Sequence, residues 1–144
     1  MQDAFGTRLL RTIATVLLAL VFVAAGASKM LRTSDEVTML TRFIDNPQAI
    51  KGLGCLEVGL GLWLLSLRTP RLTGALTAAA LVLFTAAIGW ELTYDRPLPC
   101  GCATLVTPDS ADVRRDLWLA IGRNSVLLLL AGVMIVLAPV PDET

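Results

Sequence analysis

The sequence contains no histidine. That absence removes the commonest general base and the commonest nitrogen ligand for metals, so any chemistry must rest on thiols, carboxylates or a bound cofactor. Net charge is absent as well: 12 basic residues balance 12 acidic ones, so no nucleic acid or other polyanion is expected as a partner. Repeats at solenoid periods and low-complexity tracts are missing. Cysteine is scarce, with three in 144 residues. The odd number leaves at least one thiol unpaired in a monomer with one disulfide.

What is present is apolar. Hydrophobic residues make up 55% of the chain and mean hydropathy is +0.70, against the roughly 45–50% typical of soluble domains. These residues fall into long blocks, as they do in a chain built to cross a bilayer. Four blocks, at about 9–30, 50–67, 72–92 and 117–137, each approach the ~20 residues a spanning helix needs. The first also has the basic start (Arg8, Arg11) and the Ala25-Gly26-Ala27 stretch of a signal peptide. Its length, and the three spans that follow, favour a retained first helix. The expected fold is all-α, a single transmembrane domain over 1–144 in which four antiparallel helices form an integral membrane bundle.

The second block carries Gly52, Gly54, Gly59 and Gly61, and the third Gly74, Ala75, Ala78 and Ala79. Small residues let helices approach closely in lipid, so these two faces are expected to match. Arg68-Thr69-Pro70-Arg71 joins them tightly. The other two connections are longer. The one between the first and second blocks includes Thr33-Ser34-Asp35-Glu36, followed by Val37, Leu40 and Ile44, the pattern of a short helix lying at the interface. The one between the third and fourth blocks contains Pro97-Leu98-Pro99-Cys100-Gly101-Cys102, and Asp109 or Ser110 is suited to cap the helix beyond it.

Four spans put both termini on one side of the membrane and the two long connections on the other. Counting positive charges sets Arg8, Arg11, Arg68 and Arg71 against a larger basic set on the long-connection side. That count favours cytoplasmic loops, whereas a disulfide-forming site favours an oxidising compartment.

Depth along the helices gathers the polar residues at the loop end. Lys29 closes the first span, Cys55 and Glu57 lie roughly 7–10 Å inside the second at 1.5 Å per residue, Glu91 ends the third, and Trp118, Arg123 and Asn124 begin the fourth. A charge in lipid is costly, so Glu57 and Arg123 are expected to face inward and pair, with Lys29 and Glu91 snorkelling to the interface. This group, Lys29, Glu57, Glu91, Arg123 and Asn124, reads either as a structural ion-pair set or as a pocket for a proton carrier or headgroup. Trp63 sits near the opposite end as an interfacial anchor.

Cys100 and Cys102 flank a single glycine in an exposed connection. Two thiols so spaced form a strained disulfide suited to exchange, and Gly101 gives the backbone freedom to close it. Cys55 is placed either as a third thiol or as a small buried core residue. The rival chemistry is soft metal: Cys55, Cys100 and Cys102 would suit Cu(I).

The residues also resemble a family. Gly26-Ala27-Ser28-Lys29-Met30 resembles the G-x-x-K signature of DoxX-like membrane proteins, and Leu56-Glu57-Val58-Gly59-Leu60-Gly61 their second helix. Cys100-Gly101-Cys102, followed by Trp118 and Arg123-Asn124, is similar to the MauE branch of that family. The resemblance covers all four spans. It implies a four-helix inner-membrane protein linked to methylamine utilisation or to thiol–disulfide traffic with thioredoxin-like partners, with cytoplasmic termini and the Cys-Gly-Cys loop outside. Members usually continue Cys-Gly-Cys-Phe-Gly; this chain has Cys-Gly-Cys-Ala-Thr.

The leading expectation is a membrane thiol–disulfide relay or maturation factor, in effect a thiol–disulfide oxidoreductase. Cys100 and Cys102 exchange, Cys55 assists, and a bilayer-dissolved quinone is the electron acceptor that this reading calls for. A soft-metal transfer protein and a non-catalytic assembly subunit are the alternatives. The sequence allows a homo-oligomer and does not set the oligomeric state.

Overall fold

A computed structural model of the chain describes residues 2–31, 38–44, 46–66, 69–100 and 110–138. The described residues form five helices and no strand: α1 (Gln2–Leu31), α2 (Met39–Phe43), α3 (Pro47–Leu65), α4 (Pro70–Glu91) and α5 (Ser110–Val136). Four of these, over Gly6–Leu31, Pro47–Leu65, Pro70–Glu91 and Asp112–Val136, are long and apolar enough to cross a membrane. They form the expected all-α bundle, and the protein is a multi-pass membrane protein.

Local chemistry sets the helix starts. Asn46 caps α3, its side chain accepting from the Gln48 N–H at 2.9 Å, and Pro47 follows where a missing N–H costs nothing. Pro70 opens α4 in the same way behind Thr69. Thr38 precedes α2, where its N–H donates to the Thr41 hydroxyl at 3.2 Å. The short helix is thus Met39–Phe43; Thr33–Val37 lie outside the described residues, as does Asp109, one of the two caps expected for α5.

The helices pair as α1 on α3 and α4 on α5, with α1 also lying along α5. Contact between α3 and α4 is slight despite their short link. This corrects the expected match of their small-residue faces. Gly54 packs instead on Gly26 of α1, and Gly61 on Ala19 and Val23 of the same helix; Gly74 packs on Ile135 and Ala131 of α5. Higher numbers on one helix meet lower numbers on its partner, so both pairs are antiparallel. The reason is spatial: the closest approach comes where glycines of two helices meet at one level. Gly26 and Gly54 supply this, with the Gly54 oxygen only 2.5 Å from where a Gly26 Cβ would stand.

One apolar core, containing Leu18, Phe22, Leu64, Leu81, Leu127 and Met134, fills the middle of the bundle. A second, containing Met39, Ile88, Cys100, Val113 and Leu117, lies under α2. Leu20, Leu56, Leu83 and Leu129 point outward, as a lipid-facing surface requires. Trp90 and Trp118 are exposed near the loop end and Trp63 near the other, positions suited to interfacial anchoring. The two long connections meet at one end: the Met39 N–H donates to the Pro99 carbonyl at 2.9 Å.

Candidate functional site

Two polar clusters occupy the loop end of the bundle. In the first, Lys29 and Glu57 form a bidentate ion pair, Nζ lying 2.8 and 2.6 Å from the two carboxylate oxygens. Both side chains are almost wholly buried. Lys29 comes from the last turn of α1 and Glu57 from the third turn of α3, brought level by the Gly26–Gly54 crossing just beside them. The ammonium also stands 5.3 Å from the centre of the Phe84 ring, a favourable cation–π position.

This pairing corrects the expectation that Glu57 would meet Arg123 and that Lys29 would snorkel outward. With both its oxygens on Lys29, Glu57 is already neutralised at short range. Arg123 lines the same cavity, and its Nε is buried with no hydrogen-bond partner among the described residues. The cavity therefore carries one cation in excess. Its walls are Phe22, Leu81, Phe84, Ile88 and Leu127, and its volume is about 30 Å³. Asn124 completes it, with the amide donating to the Thr85 hydroxyl at 3.2 Å, and that hydroxyl donating to the Leu81 carbonyl at 2.7 Å. Phe84 and Thr85 carry no sequence signal for this role; Thr85 lies on the face of α4 that meets Asn124, a level calculable only once α4 is set against α5.

The second cluster surrounds Glu91. Its side chain is fully buried rather than snorkelling, and it is absent from the lining of the cavity. Oε1 accepts from the Leu98 N–H at 2.7 Å and forms an ion pair with Arg42 Nη1 at 3.2 Å. The Arg42 guanidinium stacks 4.1 Å from the centre of the Tyr94 ring, and Arg114 reaches the Tyr94 carbonyl at 3.2 Å. Arg42 and Tyr94 carry no sequence signal for these contacts. Arg42 follows Met39 by one helical turn, but α2 is too short for periodicity to reveal which face is inward.

The thiols separate. Cys100 is buried beside Met39, Ile88, Val113 and Leu117. Ile88 also lines the Lys29–Glu57 cavity, so the cluster that holds Cys100 borders that pocket. Gly101 and Cys102 lie outside the described residues. Cys55 is exposed, which corrects its reading as a small core residue; its Sγ lies 3.9 Å from Met30 Sδ. It is two residues from Glu57, about 200° around the helix, so burying Glu57 turns Cys55 outward. Among the described residues no group of three Cys, Asp or Glu side chains is placed to hold a metal ion.

The arrangement can hold charge at fixed positions within the bundle and present Cys100 beneath a short cover helix. Comparison with curated proteins and with solved structures gives no match. A family model does match, described as methylamine utilisation protein MauE, and it covers residues 7–137, nearly the whole chain. This four-helix membrane protein belongs to the MauE family.

Proposed function

We propose that the chain is a thiol–disulfide relay or maturation factor of the inner membrane, acting through Cys100 and Cys102 on a thioredoxin-like partner. The observation that carries this reading is the anchoring of the chain just before Cys100. Leu98 is held by Glu91 and Pro99 by Met39, so the first cysteine meets its surroundings from a fixed backbone. The family's description, methylamine utilisation protein MauE, supports methylamine utilisation as the setting of this exchange. The termini lie in the cytoplasm and the Cys-Gly-Cys loop outside, where disulfides persist.

In one direction, a Cys100 or Cys102 thiolate attacks a partner disulfide and forms a mixed disulfide, releasing one partner thiolate. The second cysteine of the pair then attacks its neighbour's sulfur and releases the other. The chain's two thiols become a disulfide while the partner's disulfide becomes two thiols, so electrons balance without an added oxidant; the reverse runs by the same steps. That reverse direction leaves the chain's pair as two thiols, and a membrane quinone, taking up two electrons and two protons, would return it to the disulfide. Arg123, the surplus cation, lies one turn beyond Ala120, which packs in the Cys100 cluster. A nearby cation favours the thiolate that exchange needs.

Single-cysteine variants test the proposal. Cys102→Ser or Cys100→Ser should accumulate a mixed disulfide with a thioredoxin-like protein, visible as a reducible band in membranes of the native host. The double variant should give none. A double variant that supports wild-type methylamine growth would instead favour a non-catalytic assembly role.

A further inference from the structure

Glu91 takes no part in the exchange steps, yet it is the most deeply buried acid among the described residues, with 0% exposure. Its environment is specific. Pro97 and Pro99 have no N–H, so Leu98 is the one backbone donor between Arg96 and Cys100. Glu91 Oε1 takes that donor at 2.7 Å. The carbonyl of Pro99 is taken by the Met39 N–H at 2.9 Å. Both residues before Cys100 are thereby fixed, one to the end of α4 and the other to the start of α2.

The same carboxylate also fixes α2. Arg42 shares Oε1 with Leu98, stacks on Tyr94 and reaches toward the Arg96 carbonyl at 3.5 Å. Met39, on that helix, is 1% exposed and packs in the Cys100 cluster. A single buried oxygen is thus the hub joining α4, the loop and the helix that covers the thiol. Oε2 has no partner. Packing alone would not require a buried carboxylate at this point, since an apolar residue spares the cost of an unsatisfied charged oxygen.

We infer that Glu91 is a positioning residue of the thiol loop: its carboxylate, shared by the Leu98 N–H and Arg42, holds the backbone leading into Cys100 beneath α2 and so sets the reactivity of that thiol. The consequence for exchange rests on the relay reading; the clamp itself does not.

The test uses the full chain in lipid nanodiscs, reduced, in a Cys102→Ser background. Alkylation of Cys100 by iodoacetamide is followed by mass spectrometry, with exposed Cys55 as internal reference. Glu91→Ala should raise the Cys100 rate on the order of tenfold, the scale of one lost charge-assisted hydrogen bond. Glu91→Gln keeps a carbonyl oxygen for Leu98 but loses the charge that pairs Arg42, and should fall between wild type and Glu91→Ala. Arg42→Met should resemble Glu91→Gln. Leu64→Ala, in the distant core, should lower stability without altering the rate.

In the chain with all cysteines, the midpoint potential of the Cys100–Cys102 pair should shift in Glu91→Gln and not in Leu64→Ala. An unchanged Cys100 rate in the Glu91 and Arg42 variants, or an equal rise in Leu64→Ala, overturns the inference. If Glu91→Ala does not fold, Glu91→Gln and Arg42→Met decide the matter alone. Failure of the relay reading has a different sign: no Cys100–Cys102 disulfide forms in oxidised wild type, while the alkylation comparison stays readable.

Discussion

Lys29→Met is expected to destabilise the bundle by about 3–5 kcal/mol, the cost of leaving a buried charge without its partner. The Glu57 carboxylate has both oxygens on the Lys29 ammonium and no water-facing alternative. Removing the cation forces the carboxylate to stay charged in an apolar setting, take up a proton, or open the α1–α3 contact. The double variant Lys29→Met/Glu57→Leu should behave differently. Replacing a buried pair by apolar side chains of similar volume is often neutral or stabilising by about 1–4 kcal/mol, so the double variant should regain wild-type resistance to denaturant. Reversible unfolding in mixed micelles measures both. Wild-type stability in Lys29→Met would show that the pair is not closed in as described. The same cycle bears on function: if the double variant folds but no longer exchanges disulfides, the charges belong to the site rather than to packing.

Gly26→Val should be at least as damaging. A Cβ at position 26 would stand 2.5 Å from the Gly54 carbonyl oxygen, 2.8 Å from Val58 Cγ2 and 2.9 Å from the Val58 nitrogen. Two of these neighbours are backbone, so α1 and α3 must separate. Overpacking typically costs about 1–3 kcal/mol. The loss is aggravated here because helices in lipid have no hydrophobic drive to stay together and depend on close contact. Separation would also pull Lys29 away from Glu57. Gly52 and Gly59 provide the contrast, since a Cβ at either meets nothing within 4 Å. Gly59→Ala should be neutral or stabilising by up to ~1 kcal/mol through helix propensity. Parallel unfolding curves for the two variants check the difference; equal losses would contradict the assigned crossing.

Much of the fold was legible because the bilayer imposes it. Long apolar blocks become helices, and their alternation sends the two long connections to one end, where Met39 meets Pro99. Depth alone also placed Lys29, Glu57, Arg123 and Asn124 at one level, where they share a cavity. Partner choice was not legible. The glycines of α3 and the small residues of α4 looked equally fit for each other, yet which helix lies beside which depends on rotation about each axis, and that is set by all four helices together. The same uncertainty assigned Glu57 to Arg123 when Lys29 was nearer. Glu91 was misjudged because its partners are a backbone N–H and an arginine from α2, neither of which leaves a periodic signal. Cys55 was open to two readings until Glu57 fixed which side of α3 faces inward.

The relay through Cys100 and Cys102 is tested most directly by differential alkylation of the protein in its native membrane. Free thiols are blocked first, disulfides are then reduced and labelled with a second reagent, and each cysteine is assigned by mass spectrometry. Under oxidising conditions Cys100 and Cys102 should carry the second label and Cys55 the first, with the pattern at 100 and 102 reversing after reduction. All three cysteines carrying the first label under oxidising conditions would contradict the relay.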